Sequence, residues 1–231
     1  MADERAIEVA GEALLLLAER ALYWPRARTL AIADLHLGKA DHFRRAGIAL
    51  PAGGTGHDLE RLDALLARTG AARLLVLGDL LHGPIPDAPW LARWRAFRAR
   101  HAGLAVEVVA GNHDRALRRQ PLRAQALALS AVHAAWLHEP PFVFVHAEED
   151  APADRPGYVL SGHLHPVLRL PGLPRLPAFR FGASGLLPAF TAFAGGLAIA
   201  PAPGERVYVC APDAVVEVPL PRRIARRAPR T

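Results

Sequence analysis

Thr29–Ala33 (TLAIA) runs into Asp34-Leu35-His36, Leu74–Leu77 (LLVL) into Gly78-Asp79, and Leu104–Val109 (LAVEVV) into Gly111-Asn112-His113-Asp114. Each apolar run is too short for a helix and has the length of a buried strand. Each ends in a polar motif. Between the first two runs, Leu59, Leu62, Leu65 and Leu66 recur at helical spacing over Thr55–Thr69, with Gly70 placed to stop the helix. Between the second and third, Asp87–His101 reads as another helix, with Asp87 as its cap and Pro89 in its first turn. Strand, helix, strand, helix, strand predicts parallel strands joined by crossover helices. Ligand sites in such sheets lie beyond the carboxyl ends of the strands, so the three motifs should converge.

The texture changes on either side. Residues 6–24 read as one or two short strands with Gly11 at a turn. Beyond residue 135, Phe142–Val145, Tyr158–Leu160, Val167–Leu170, Ala178–Phe181 and Arg206–Val209 are short strand candidates separated by proline and glycine, and Pro171–Pro177 is a proline-rich connection. This half predicts a second, β-rich sheet. A chain of 231 residues that is 52% hydrophobic can bury one substantial core. The expectation is one domain over residues 1–218 and a disordered, Arg-rich tail over 219–231.

The formal net charge of +6 is local. Arg222, Arg223, Arg226, Arg227 and Arg230 lie in the last eleven residues without an acid, and +6 less these five leaves a body near +1. Cys210 is the only cysteine, which excludes an intramolecular disulfide. The start Met1-Ala2-Asp3-Glu4 is acidic where a secretory leader is basic, and the apolar run Ala13–Ala18 is shorter than the ~20 residues that span a bilayer. A cytoplasmic protein with no membrane partner is expected.

Two further polar motifs extend the series. His146 follows the strand candidate Phe142–Val145, and Gly162-His163-Leu164-His165 follows Tyr158–Leu160. Asp34/His36 and His163/His165 are each two residues apart, and in extended chain such positions face the same way. Five motifs of this kind, each just after an apolar run, form one donor set of carboxylate, amide and imidazole, which suits manganese, iron or zinc. Seven candidate ligands (Asp34, His36, Asp79, Asn112, His146, His163 and His165) exceed the needs of one ion and suffice for two. Two metals ~3.5–4 Å apart can activate a water and stabilise both oxygens of a phosphoryl displacement.

Together these motifs resemble the signature of the calcineurin-like metallophosphoesterases. The resemblance implies an α/β fold, a two-sheet αββα sandwich with metals at the carboxyl ends of the strands. It implies that Asp34, His36 and His165 hold one metal, that Asn112, His146 and His163 hold the other, and that Asp79 bridges. It further implies that His113 acts near the leaving group, as a general acid, and that Asp114 orients it. The Asp-Arg pair of the protein phosphatase branch is replaced here by Gly78-Asp79-Leu80-Leu81-His82-Gly83.

Ala33–Lys39, Phe43-Arg44-Arg45-Ala46-Gly47, Leu187-Pro188-Ala189-Phe190 and Gly195-Gly196 are similar to one bacterial and archaeal subfamily, the ligase-associated DNA damage response endonucleases (the PdeM group). That similarity implies manganese-dependent cleavage of DNA, on single strands or at ends, in DNA repair. It also implies functional association with a DNA ligase, a helicase and an exonuclease. The sequence itself adds Arg115, Arg118, Arg119 and Arg123, which share one face if their segment is helical, and which could neutralise phosphates. Lys39, Arg44, Arg45 and His82 are further candidate nucleic-acid contacts. A phosphoesterase for a small or cyclic nucleotide would use the same metals and differ in its pocket. A scaffold without catalysis would show replaced ligands, whereas all seven are present.

Overall fold

A computed structural model describes residues 3–48, 54–83, 89–119 and 121–220, with residues 118, 119, 121, 123 and 124 described in their backbone only. The first sheet has seven strands in sequence order: β1 (Glu4–Val9), β2 (Glu12–Leu17), β3 (Ala21–Trp24), β4 (Thr29–Ala33), β5 (Arg73–Leu77), β6 (Ala105–Val109) and β7 (Ala131–His133). Strands β1 to β4 are antiparallel neighbours, and β4 to β7 are parallel. The expected parallel unit is therefore present. The N-terminal stretch makes three strands where one or two are expected, because Ala10-Gly11 and the turn at Arg20, with φ of 51°, 79° and 69°, fold it into successive hairpins.

The crossovers carry α1 (Lys39–Arg45), α2 (Thr55–Thr69), α3 (Pro89–Arg100), α4 (Arg115–Arg119) and α5 (Pro121–Ala126). Helix α2 ends at Gly70 in the left-handed region (φ 61°), as its sequence predicts. The expected Asp87 cap lies outside the described residues. The basic segment forms two short helices, so its four arginines do not lie along a single helix.

The second sheet comprises β8 (Trp136–Glu139), β9 (Phe142–Val145), β10 (Tyr158–Ser161), β11 (Pro166–Leu168), β12 (Leu176–Phe181), β13 (Gly185–Leu186), β14 (Leu197–Ala198), β15 (Arg206–Ala211) and β16 (Ala214–Val218). Its order is β14-β11-β12-β13-β10-β9-β8, with β15 on β12 and β16 on β15. Most pairs are antiparallel, but β9, β10 and β13 run parallel, and so do β11 and β14.

Alternation along the parallel strands explains the two-sheet sandwich. Leu30, Ile32, Leu74, Val76, Val106 and Val108 point one way, onto Leu59, Leu62, Leu65 and Leu66 of α2 and Trp90, Trp94 and Phe97 of α3. Ala31, Ala33, Leu75, Leu77 and Val109 point the other way, onto Phe142, Phe144, Leu160, Phe179 and Phe181 of the second sheet. The described helices all fall in the crossovers of the first sheet, and a single turn of 3-10 helix, Glu148–Asp150, sits beside β10. Leu220 is partly buried against Val207 and Val209, so packing reaches past residue 218. The remainder of the expected tail, residues 221–231, lies outside the described residues.

Candidate metal centre

All five motifs leave the carboxyl ends of parallel strands, β4, β5 and β6 in one sheet and β9 and β10 in the other. The loops after β4 and β5 continue the ladder: Asp34 N–H donates to the Gly78 carbonyl (3.2 Å), His36 N–H to Asp79 (2.8 Å) and Leu37 N–H to Leu80 (2.8 Å). Yet the i, i+2 pairs do not converge through extended chain. Asp34, His36, Asp79, His163 and His165 have φ of 56°, 49°, 50°, 70° and 48°. Left-handed residues turn these side chains inward. A non-glycine residue in a sparsely populated conformation costs on the order of 1–3 kcal/mol and persists where its surroundings over-determine it.

The convergence is close. His165 Nε2 lies 3.4 Å from Asp34 Oδ1, His36 Nε2 3.8 Å from Asp79 Oδ2, and His146 Nε2 3.6 Å from Asp79 Oδ1. Asn112 Oδ1 is 2.9 Å, and His163 Nδ1 3.0 Å, from that same His146 Nε2. Asp34, His36 and His165 present ligand atoms within 4.8 Å of one another, and so do Asp34, Asp79 and His146. Backbone carbonyls set the ring orientations. His146 Nδ1 meets the Leu77 carbonyl at 3.2 Å and His165 Nδ1 the Gly195 carbonyl at 3.2 Å, which leaves both Nε2 atoms facing inward.

These residues fit a cation. Asp34 Oδ1 and both ring nitrogens of His36 are buried without a hydrogen-bond partner, a costly state unless another group satisfies them. Burial, reinforced by the Lys39 charge, pulls the His36 pKa down to about 2, so the ring is a neutral donor. Burial also raises the Asp79 pKa, with Asp34 adding to the rise against the neighbouring imidazoles. Three glycines make room: a methyl group on Gly78 would strike the His146 ring, one on Gly111 the Asp79 carboxylate, and one on Gly162 would sit 2.8 Å from Asp34 Oδ2.

His113 stands at the edge of this cluster. Its side chain is 38% exposed against 0% for Asp34, and its Nε2 is 4.0 Å from Asp79 Oδ2. Asp114 does not orient it directly. The Asp114 carboxylate accepts backbone N–H groups from Leu81 (2.9 Å), Leu80 (3.2 Å) and Gly111 (3.0 Å), and burial raises its pKa to about 6. The His113 Nδ1 instead meets the His82 carbonyl at 3.1 Å. Asp114 therefore acts one step back, by fixing the Leu80–Leu81 backbone that carries His82.

His82 stacks on His113, with ring centroids 5.3 Å apart, and its Nδ1 is buried without a partner. Burial and the Lys39 charge lower its pKa to about 4. His36, His82 and His113 form a third group with ligand atoms within 4.8 Å. His42, which matches none of the five motifs, packs edge-on against His82 at 5.1 Å. Only its position one helical turn beyond Lys39 hinted at this. Lys39 is half-buried; desolvation lowers its pKa, while Asp34 and Asp79 raise it. Arg45 lines a small cleft of about 130 Å³ with Leu37, His42, His82 and Trp90. Arg44 is exposed and pairs with Asp41 at 3.3 Å, and Arg115 is exposed at the start of α4. The side chains of Arg118, Arg119 and Arg123 lie outside the described residues.

The strap Ala189–Ala192 completes the wall of the centre and has no metal-ligand signature. Phe190 N–H donates to the Ala33 carbonyl (2.7 Å) and Thr191 N–H to the Asp34 carbonyl (3.3 Å). The Leu187–Phe190 stretch singled out above is legible as similarity but not as structure.

A two-sheet sandwich with a buried carboxylate–imidazole cluster between parallel strand ends defines a metal-dependent hydrolase. The calcineurin-like phosphoesterase family matches residues 27–167, and the chain belongs to that family. It is a phosphoester-hydrolysing enzyme of a family that uses divalent metals. The crystal structure of the Pseudomonas putida nuclease MPE is similar to it at 38% identity, with a TM-score of 0.76, over 93% of this chain and 100% of that one. Yfce, a phosphoesterase from E. coli, is more distant, at 18% identity and a TM-score of 0.46 over 82% of this chain and 97% of that one. No curated protein sequence matches the chain. Among the described residues, no helix is long and apolar enough to cross a membrane.

Proposed function

We propose that this enzyme is a nuclease that hydrolyses DNA phosphodiesters, on single strands or at strand ends, with two divalent cations. The observation that carries this reading is the 38% identity to a nuclease across 93% of the chain. Asp34, His36 and His165 would hold one cation and Asn112, His146 and His163 the other, with Asp79 placed beside His36 and His146 of the two sets. When bound, two such ions activate a water and stabilise charge on the phosphoryl oxygens. The chain's own groups supply orientation and the proton. The carbonyls of Leu77 and Gly195 keep two imidazoles in register. His113, exposed at the rim and steered by the His82 carbonyl and ring, gives its Nε2 proton to the departing oxygen as the P–O bond breaks. Lys39, Arg44, Arg45 and Arg115 offer charge to neighbouring phosphates, and Arg118, Arg119 and Arg123 extend the basic segment.

Manganese is the first candidate ion, with iron and zinc also suited to the donor set. The similarity of Ala33–Lys39 and Phe43–Gly47 to the ligase-associated endonucleases supports a cytoplasmic role in DNA repair beside a ligase, a helicase and an exonuclease. The test is to incubate chelator-stripped protein with end-labelled single-stranded DNA and each metal, beside Asn112→Ala. Manganese-dependent cutting by the wild type alone is expected. Hydrolysis of an aryl phosphate ester with every DNA form left intact would sink the nuclease reading and leave the metal centre standing.

A further inference from the structure

A cavity of about 510 Å³ opens on the far side of the Phe190–Ala192 strap from the metal centre. Its walls come from the β2–β3 turn (Glu19, Arg20), the first turns of α2 (His57, Arg61), the start of β12 (Arg175 to Pro177) and the β15–β16 turn. The charges do not cancel. Arg61 is matched by Asp58 at 3.0 Å, and Glu19 by Arg68 at 2.8 Å. Arg20 and Arg175 remain, and among the described residues neither has an acid within 4.0 Å. Arg175 is exposed, while Arg20 is half-buried and spends one N–H on the Thr191 carbonyl at 3.0 Å. Burial pulls the Arg20 pKa down, only partly offset by the Asp58 carboxylate, which is itself engaged by Arg61, Thr191 and Ala192.

The cavity is coupled to the centre by a rigid wall. Thr191 N–H donates to the Asp34 carbonyl, while the Thr191 hydroxyl and the Ala192 N–H both donate to the Asp58 carboxylate, at 2.8 and 3.2 Å. One residue and two hydrogen bonds therefore separate the Arg20 guanidinium from the backbone of a candidate metal ligand. Leu176, Pro177 and Pro212 give the cavity an apolar side, so it suits a phosphate attached to a sugar better than a bare anion.

We propose that this cavity is a flanking subsite that holds one nucleotide of a nucleic-acid strand, its phosphate on Arg20 and Arg175, while a neighbouring phosphodiester lies at the metal centre. The subsite rests on the nuclease reading, and its test keeps the two apart. The dissociation constant of a fluorescent single-stranded oligonucleotide is measured across salt for the full chain, Arg175→Ala, Arg175→Glu and Arg20→Ala. Hydrolysis of bis(p-nitrophenyl) phosphate, which carries no flanking phosphate for Arg20 and Arg175, is followed in parallel. Arg175→Ala is expected to lower the slope of log affinity on log salt by about 0.7, the value of one single-strand phosphate contact. Arg175→Glu should weaken binding further, and both should hydrolyse the aryl ester at the wild-type rate. Unchanged affinity and slope in Arg175→Glu and Arg20→Ala alike would overturn the subsite. A wild type that binds the oligonucleotide but leaves it uncut whichever divalent metal is added would defeat the nuclease reading instead, and a wild type that binds none would defeat both.

Discussion

The two sheets differ in almost everything except how they deliver ligands. The first is built from hairpins and helical crossovers, the second from short strands and turns, and both are mixed. In each, however, the candidate ligands leave only the parallel strands: β4, β5 and β6 on one side, β9 and β10 on the other. Parallel neighbours end on the same edge, so their outgoing loops lie side by side; antiparallel neighbours send alternate loops to opposite edges. The comparison teaches that local strand direction, rather than sheet type, sets where a binuclear site can form.

If both sheets serve one centre, removing a ligand from either should be equally damaging. Asn112→Ala from the first sheet and His165→Ala from the second should each abolish hydrolysis of oligonucleotide and aryl ester alike, beyond the roughly 10–100-fold of an outer-shell change. Metal analysis should show less than two ions per chain in each variant; two retained ions would break the symmetry. His113→Ala should separate the substrates, with about 10²–10⁴-fold lost on DNA and little on a nitrophenyl ester, whose leaving group needs no proton. Equal loss on both substrates would remove His113 as the acid. Since the cations would tie the sheets together, metal at about a hundredfold over its dissociation constant should raise unfolding stability by roughly 2.7 kcal/mol per ion. Denaturant titration with and without chelator reads this directly. Asp114→Asn should have a smaller effect, about 2 kcal/mol, by leaving a buried N–H of the Leu80–Gly111 clamp without its acceptor.

The ligand loops are legible in the sequence because each follows an apolar run, and burial on both faces makes such runs stand out. Phe142–Val145 is read with its observed limits for this reason. Strands of two residues, such as Gly185–Leu186 and Leu197–Ala198, carry no periodicity to read. Nor can spacing reveal that Asp34 and His36 take left-handed conformations, since i, i+2 geometry assumes extended chain. The direct partner of His113 is hidden for another reason. It is a backbone carbonyl, which any residue at position 82 would supply, whereas Asp114 is conspicuous as an acid and does its work on the backbone.

The division of ligands between sheets has a consequence during synthesis. A nascent chain that has emerged from the ribosome only through β7 carries Asp34, His36, Asp79 and Asn112 but none of the three imidazoles that follow β9 and β10. Such a chain cannot assemble a full pair of cation sites. A hydrolase arranged in this way stays inert until most of its length has been translated, because the last candidate ligand, His165, lies more than two-thirds of the way along the 231 residues.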